Sequence, residues 1–335
     1  MLIQEMIQCI EQSADPALAA DWDQSGMQVA GTKDQIQRLA LTLDPRPEFI
    51  RQAVEWDADF ILTHHPLTLS PRLPRQRDDL HSVYALLFQS GAALYAAHTS
   101  LDVQTHGPAG WLARTLNCSR IRPVHPIQLP AQVWIRLNCS LLPPATLDQL
   151  MTHPGCLEWA AADEDCWVLA PEGEVSSMLQ ILSATTTSSV ARVQTMTTLP
   201  IQRQHGYGII GRLPEPVAWP ALADMLSTYL PRTTWSRTGP VPELIHSVAY
   251  CPGSGMDIAA QAFAQGADIF ISGDLKYHQA QDIESLGLTL DVGHFCLEEM
   301  MMSTWAQSLK EELAEQDVEV AFIPGRDPFV LEKYT

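Results

Sequence analysis

Four short apolar segments of this chain end in side chains that can bind a metal ion. They are residues 58–66 (ADFILTHHP), 92–102 (AALYAAHTSLD), 267–278 (ADIFISGDLKYH) and 288–299 (LTLDVGHFCLEE). Short β-type runs that end in His, Asp or Glu place these groups at the carboxyl ends of neighbouring strands, where open α/β sheets build their sites. The pattern therefore predicts a metal centre at the edge of a sheet.

The arrangement occurs twice in the chain. The segment that starts at Ile36 and the segment that starts at Ile245 have the same order of strand, turn, helix and strand, with Ala58–Phe60 over Ala267–Ile269. Further on, each half has a histidine followed four residues later by a carboxylate: His98 and Asp102, then His294 and Glu298. A duplicated unit whose halves face each other joins two half-sites, which suits two metal ions better than one.

The spacing of individual residues supports this interpretation. His64 and His65 precede Pro66, which keeps the backbone before it extended. Adjacent side chains of an extended segment point to opposite sides, so we expect two neighbouring ions to take one imidazole each. His294 and Glu298 lie about 40° apart around a helix, so both can reach one ion.

In the first half, Asp102 is the carboxylate that matches Glu298. His98 is its partner by repeat position, either as a ligand or as a group behind a ligand. A single His or Asp of this kind would more often be a cap or a hydrogen-bonded core residue. The metal interpretation therefore depends on the whole group: His64, His65, Asp102, His294 and Glu298.

Imidazoles and carboxylates without thiolates suit Zn, Fe, Mn or Co. Two such ions generate a hydroxide near neutral pH and polarise the group under attack, so the natural chemistry is hydrolysis. Asp274, Lys276, Tyr277 and His278 occupy the repeat position of His64 and His65. We expect Asp274 and His278, with His98, to bind substrate or to transfer protons, although Asp274 can equally orient a ligand imidazole.

Two glycine-rich stretches have other interpretations. Residues 206–211 (GYGIIG) match a dinucleotide-binding pattern but run into Arg212-Leu213-Pro214 rather than a helix, so they are predicted to form a strand. Residues 252–255 (PGSG) stand between a strand and a helix. They form either a tight turn or a site where backbone N–H groups receive a substrate phosphate.

Composition narrows the class of protein. The 335 residues include 20 Lys and Arg against 39 Asp and Glu, a formal charge of −19, which argues against nucleic acid as a partner. Seven scattered cysteines without a CxxC pair fit reduced thiols in the cytoplasm. The N-terminal segment lacks the features of a signal peptide, and no run approaches the length of a membrane helix.

The pattern of elements predicts an α/β fold with a duplicated core. Residues 1–124 and 201–335 alternate helix and strand patterns and form the two parts of this core. Residues 125–200 are expected to form a small inserted α+β domain with the order β-α-β-α-β, whose last strand is residues 190–196 (VARVQTM). Pro123, Pro126 and Pro130 mark the boundary where it begins.

Several stretches resemble the NIF-three-like family of dinuclear metal proteins, many of which carry the name GTP cyclohydrolase 1 type 2 homologue. They are DWDQSGMQV, ADFILTHHP, AAHTSLDV, GYGIIGRLPEP, PGSGMDIA, GADIFISGDLKYH and DVGHFCLEE, in the order of the family. The resemblance implies mixed sheets and a PII-like insertion. It also implies that His64, His65, Asp102, His294 and Glu298 hold two divalent ions, with Glu298 bridging, in a toroidal homohexamer that is a trimer of dimers.

Two functions from different classes fit these features. The first is a metal-dependent hydrolase that acts on a small molecule, such as a nucleotide or a pterin-like ring. The second is a non-catalytic metal-binding ring with a regulatory or chaperone-like role, in which the insertion senses a ligand. A ring that encircles DNA would need a locally basic cavity in spite of the charge of −19.

Overall fold

A computed structural model describes residues 1–127, 131–138, 140, 142–185, 194–198, 205–232, 234–330 and 332. The chain divides into two compact units, the first formed by Met1–Ile127 with Gln204–Thr335 and the second by Gln128–Arg203. None of the helices in these described ranges has the length and apolarity that a bilayer crossing requires.

The strands and helices of the described residues are numbered here in chain order. The strands are β1 (Gly26–Val29), β2 (Arg38–Thr42), β3 (Phe60–Thr63), β4 (Ala93–Ala96), β5 (Ser119–Pro126), β6 (Gln132–Asn138), β7 (Glu158–Ala162), β8 (Asp165–Pro171), β9 (Gln194–Thr198), β10 (Gly206–Val217), β11 (Ser236–Thr238), β12 (Ile245–Tyr250), β13 (Ile269–Ser272), β14 (Leu288–Asp291) and β15 (Glu319–Phe322). The α-helices are α1 (Ile3–Glu11), α2 (Pro47–Glu55), α3 (Asp79–Ser90), α4 (Thr99–Asp102), α5 (Trp111–Thr115), α6 (Pro144–Met151), α7 (Val175–Thr185), α8 (Trp219–Tyr229), α9 (Ala259–Ala264), α10 (Tyr277–Ile283) and α11 (His294–Glu312).

The first unit contains two mixed sheets. One has the order β1-β4-β3-β2-β15, in which β15, β2, β3 and β4 are parallel and β1 is antiparallel to β4. The other has the order β11-β14-β13-β12-β10-β5, in which β12, β13 and β14 are parallel and the outer pairs are antiparallel. The expectation of an α/β core with mixed sheets is confirmed, and the glycine-rich stretch 206–211 is indeed part of a strand, β10.

The two sheets repeat one topology. The order β2-α2-β3-α3-β4 recurs as β12-α9-β13-α10-β14, and in each sheet an antiparallel strand, β1 or β11, flanks the last of these strands. The repeat extends to side chains. Asp59 Oδ2 accepts hydrogen bonds of 2.7 and 2.9 Å from the backbone N–H groups of Gln37 and Arg38. Asp268 Oδ2 accepts hydrogen bonds of the same lengths from residues 246 and 247.

One hydrophobic core lies between the two sheets. Alternate residues of β2 and β3, such as Leu41 and Phe60, join alternate residues of β12 and β13, such as Tyr250 and Ile271, in a single buried cluster. The apolar stripe of α11 adds Met301, Met302, Trp305 and Leu309 to it. Packing against both sheets fixes α11, so the first turn of this helix is held at the carboxyl edges of the strands.

The second unit is an antiparallel sheet of order β7-β8-β6-β9. Its buried face carries Val133, Ile135 and Val168, which pack with residues of α6 and α7. The order of elements is β-α-β-β-α-β, as in ferredoxin-like folds. The expected order β-α-β-α-β was wrong in one element, because it omitted β7. The strand predicted from Val190 corresponds to β9, and its residues 190–193 lie outside the described residues.

Candidate metal centre

Metal-capable side chains of both halves meet where the parallel strands end. His64 and His65 follow β3, His98 follows β4, and His294 is the first residue of α11, just after β14. Ligand atoms of His64, His65 and His98 lie within 4.8 Å of one another, and so do those of His65, His294 and Glu298. These clustered histidines and Glu298 can hold a metal ion.

Each of the four imidazoles is held by a hydrogen bond at Nδ1. The acceptors are a backbone carbonyl for His64 and a carboxylate for the other three rings. The Nδ1 distances are 2.8 Å from His64 to Ala97 O, 2.7 Å from His65 to Asp44, 2.7 Å from His98 to Asp23 and 2.8 Å from His294 to Asp274. Such bonds fix the ring orientation and the tautomer, which leaves Nε2 with its lone pair free for a metal ion.

Three of the Nε2 atoms point to one carboxylate. Glu298 lies with Oε1 3.5 Å from His64 Nε2, and with Oε2 3.3 Å from His65 Nε2 and 3.0 Å from His294 Nε2. Asp102 Oδ1 lies 3.8 Å from His64 Nε2 on the other side. Glu298 is thus the common neighbour of imidazoles from both halves.

Three buried atoms of this group lack a hydrogen-bond partner. They are His64 Nε2, Asp102 Oδ1 and Glu298 Oε2. A buried polar atom without a partner costs free energy, so its retention in a folded protein calls for a bound group. All three atoms are of kinds that ligate divalent ions, and the donor set, imidazole nitrogen with carboxylate oxygen, fits Zn, Fe, Mn or Co.

The electrostatics of the histidines are those of a cation site. Burial alone would lower the pKa of His65, but its contacts with Asp44 and Glu298 outweigh burial and raise the pKa to about 10. Burial is likewise outweighed at His294, whose contacts with Glu298 and Asp274 raise its pKa to about 9. The pKa of fully buried His64 is also raised, because the charges of Asp102 and Glu298 exceed the effect of burial.

The two carboxylates respond in opposite directions. Burial would raise the pKa of Glu298, yet the charge of His64 and the contacts with the other histidines lower it well below its usual range. Burial raises the pKa of Asp102, and the charge of Glu298 raises it further. A positive charge is therefore required among these side chains, and protons or metal ions can supply it.

The turn at residues 252–255 packs against this carboxylate cluster. Gly253 has φ +64°, a backbone conformation that favours glycine, and a Cβ added there would overlap Glu298 Oε1. Ser272 Oγ holds the turn by donating to Cys251 O and accepting from Gly255 N. The turn therefore already faces an anionic side chain, which favours the tight-turn interpretation over a site for a substrate phosphate.

A cavity of about 480 Å³ opens onto the cluster. Its lining combines the site residues with an apolar and aromatic rim that includes Trp22, Leu69 and Tyr207. A second, smaller cavity of about 260 Å³ reaches His65 and His294 from the side of Asp44 and Phe329. Small molecules therefore have access to the cluster.

The structure brings together all five residues predicted to ligate metal: His64, His65, Asp102, His294 and Glu298. His64 and His65 do not diverge as an extended segment suggested. Their ring centroids lie 5.0 Å apart, and each ring contacts a different oxygen of Glu298.

Of the three residues predicted to act on substrate, one lines a cavity, one lies behind a histidine of the cluster and one is on the surface. His98 lines the larger cavity, with its ring 5.2 Å from that of His64. Asp274 orients His294, the alternative that the sequence left open. His278 lies exposed on α10 with Nδ1 3.2 Å from Gln281, and it lines neither of the two cavities.

Two carboxylates of the site were not foreseen from the sequence. Asp44 follows β2, so the same rule about strand ends that found His64 would have found it. Asp23 lies in a loop before β1, with its side chain wholly buried. Burial would raise the pKa of Asp23, but hydrogen bonds from His98, Thr99 and Ser25 lower it well below its usual range. Asp23 belongs to the stretch DWDQSGMQV that resembles the family, but it follows no strand, so the rule about strand ends does not find it.

Known proteins are similar to this chain over nearly its whole length. The GTP cyclohydrolase 1 type 2 homolog of Listeria monocytogenes is 26% identical over 363 residues and the match covers 96% of each chain. The Clostridium perfringens protein of the same name is 25% identical over 334 residues, covering 98% of this chain and 99% of its own.

The fold is similar to that of solved structures. A Bacillus cereus protein related to NIF3 matches with a TM-score of 0.75 at 20% identity, and a Staphylococcus aureus protein matches with 0.74 at 20% identity. Each match covers 99% of both chains. The model of one protein family matches residues 1–328. The chain therefore belongs to the Duf34/NIF3 (NGG1p interacting factor 3) family.

Proposed function

We propose that this protein is a metal-dependent hydrolase whose site holds two divalent ions of Zn, Fe, Mn or Co. His64, His65, Asp102, His294 and Glu298 would hold these ions. One observation carries the proposal: imidazoles held at Nδ1 by acceptors direct Nε2 toward a shared, buried carboxylate. This is how proteins prepare histidines for metal binding.

Two ions are supported by the overlap of ligand groups. His65 belongs both to the group with His64 and His98 and to the group with His294 and Glu298. The two oxygens of Glu298 serve different imidazoles, Oε1 for His64 and Oε2 for His65 and His294. A carboxylate in this position can share one oxygen with each of two neighbouring ions.

When bound, such ions lower the pKa of a water molecule and polarise the bond under attack. The side chains of this protein have the remaining tasks. Asp44 and Asp274 keep the rings of His65 and His294 in the neutral tautomer that presents Nε2. His98, oriented by Asp23 at the edge of the cavity, holds and releases a proton at Nε2.

The test is reconstitution followed by turnover measurements. The full chain is purified without chelator, its metal content is measured, and hydrolysis of GTP, phosphoesters and cyclic amides is followed with and without added Zn, Fe, Mn or Co. The proposal predicts about two ions per chain and metal-dependent turnover of at least one substrate. Turnover that survives complete metal removal would contradict it, as would a metallated protein that hydrolyses none of them.

A second candidate function is a non-catalytic metal-binding ring in which the second unit senses a ligand. The observation that favours it is the β-α-β-β-α-β order of that unit, a compact module of its own. We propose that this module is PII-like and inserted in the core. If the metallated full chain hydrolyses nothing but binds a metabolite, and a Met196→Ala change at an exposed position of the module abolishes that binding, this function replaces the first.

We further propose that the chain assembles as a homohexamer, a trimer of dimers, in the cytoplasm, without nucleic acid as a partner. Large exposed apolar side chains support contacts between copies. Phe88 on α3 is 69% exposed and Leu73 is 71% exposed. Native mass spectrometry at micromolar concentration tests this, and a monomer would contradict it.

A further inference from the structure

The larger cavity has an unusual charge for a site that would receive a nucleotide. None of its lining residues within the described ranges is Lys or Arg, and the same holds for the smaller cavity. The rim is instead apolar, with Trp22 and Leu69 more than half exposed. Enzymes that bind polyphosphates neutralise them with Lys or Arg beside metal ions and backbone N–H groups, and these two cationic side chains are missing from the lining.

The carboxylates around the site oppose an anion even when metal ions are bound. Two divalent ions bring four positive charges. Five carboxylates contact the imidazoles of the cluster, two at Nε2 atoms and three at Nδ1 atoms: Asp102 and Glu298, then Asp23, Asp44 and Asp274. The site thus keeps one formal negative charge, within a chain whose formal charge is −19. A polyanion would be repelled at the entrance as well as at the site.

The aromatic residues of the cavity favour a flat ligand. Trp22 is 59% exposed and stands nearly perpendicular to the His98 ring at a centroid distance of 5.8 Å, so much of the indole is accessible beside the cluster. Tyr207 from β10 also lines the cavity. An exposed tryptophan beside a polar cluster gives a stacking surface for a planar ring, whose polar atoms then reach the cluster.

On these grounds we infer that the site takes an uncharged, planar heterocyclic ring with a hydrolysable amide-type bond, and that it rejects nucleoside phosphates. Trp22 is the residue that selects the ring. The inference rests on the proposed function for the metal ions and goes beyond it by naming the class of substrate.

The test compares ligands that share a ring and differ in charge. Zinc-loaded full-length protein is titrated with guanosine, GMP, GTP and the neutral, planar cyclic amide uracil, and binding is followed by isothermal titration calorimetry. We expect at least one neutral ring to bind, and guanosine to bind about tenfold more tightly than GMP at low salt. The preference should shrink as salt increases, because screening weakens the repulsion.

Variants separate stacking from metal binding. Trp22→Ala should weaken binding of the neutral ring about tenfold, whereas Trp22→Phe keeps a flat surface and most of the affinity. Trp159→Ala is the matched control, since Trp159 is 51% exposed but belongs to the second unit. Zinc content is measured for every variant and should not change.

Several results would overturn the inference. They are GMP or GTP binding at least as tightly as guanosine, an absence of binding by both neutral rings, and equal loss of affinity in Trp22→Ala and Trp159→Ala. Binding of a neutral ring without any hydrolysis would uphold this inference while contradicting the hydrolase proposal. The two claims can therefore fail separately.

Discussion

Replacement of Glu298 by glutamine tests the central feature of the site. Glu298 is 3% exposed and stands 3.0 to 3.5 Å from the Nε2 atoms of three histidines. Glutamine has nearly the same shape but no charge. The variant therefore removes the electrostatic attraction for cations while it leaves the packing of α11 against the core unchanged.

The size of the effect follows from the charge and the distance. A unit charge about 4 Å from another contributes about 4 kcal/mol at an effective dielectric constant of about 20. The attraction between this carboxylate and a neighbouring divalent ion is at least as large, so its removal would lower the affinity about a thousandfold. Glutamine keeps one oxygen that can bind the ion, so this loss of affinity is an upper limit. We expect a loss of about a hundredfold to a thousandfold.

The assay is competition for zinc between the protein and a fluorescent chelator, together with metal analysis of the purified variant. Glu299→Gln is a closely matched control. Glu299 is the next residue of α11 and is also buried, but its Oε1 accepts a hydrogen bond of 2.8 Å from Gly325 N instead of contacting a histidine. It should bind zinc as the wild type does.

The reasoning would be refuted if Glu298→Gln retained the wild-type zinc affinity and metal content. Equal losses in Glu298→Gln and Glu299→Gln would also refute it, because the effect would then come from disturbance of the helix. Circular dichroism of both variants in the metal-free state establishes whether α11 remains folded.

Four further outcomes are expected. His98→Asn should retain bound metal but lose most turnover, measured by metal analysis and kcat, whereas loss of metal would make His98 a ligand. Gly253→Ala should weaken zinc binding at least tenfold, because its methyl group displaces Glu298; an unchanged affinity in the chelator competition would refute this. Zinc affinity should rise from pH 6.5 to 8. The pKa values of His294 and His65 are about 9 and about 10, so zinc must displace protons from both rings, and this becomes easier as pH rises. A zinc affinity that does not change with pH would contradict the raised pKa values. Burial raises the pKa of Glu299 to about 7. The folded state therefore holds this proton more tightly than the unfolded state, so the free energy of unfolding falls as pH rises from about 4.5 to 7, and Glu299→Gln should raise Tm at pH 8. A lower Tm of the variant at pH 8 would contradict this.

The position of the histidine and carboxylate cluster could be predicted from the sequence because it depends on a local rule. His64 and His65 are found at the end of an apolar run, and the repeat then identifies the equivalent point in the other half. The spacing of His294 and Glu298 is also local, since both belong to the first turns of α11. Side chains within a few residues of a strand end are thus accessible to sequence reasoning.

The groups behind the ligands were harder to predict because their contacts are long-range. Asp23 meets His98 across 75 positions, and the rule about strand ends does not apply to Asp23, which lies in a loop before β1. The strand β7 was missed for a different reason. Its sequence, EWAAA, is exposed along its whole length and rich in alanine, so neither alternation nor propensity indicates a strand. Only pairing with β8 determines it.

The repeat also explains why the two halves contribute unequally to the site. Aligned by their strands, His64 and His65 correspond to Gly273 and Asp274. Glycine is required at 273, because a Cβ there would overlap the backbone of His294, where α11 begins. The second half therefore cannot carry a histidine pair after β13. Asp274 becomes the group that orients His294, and Glu298, one turn further along α11, becomes the carboxylate that faces the histidines of the first half. Any attempt to build a symmetrical site by placing His at 273 should thus disturb the start of α11 before it adds a ligand.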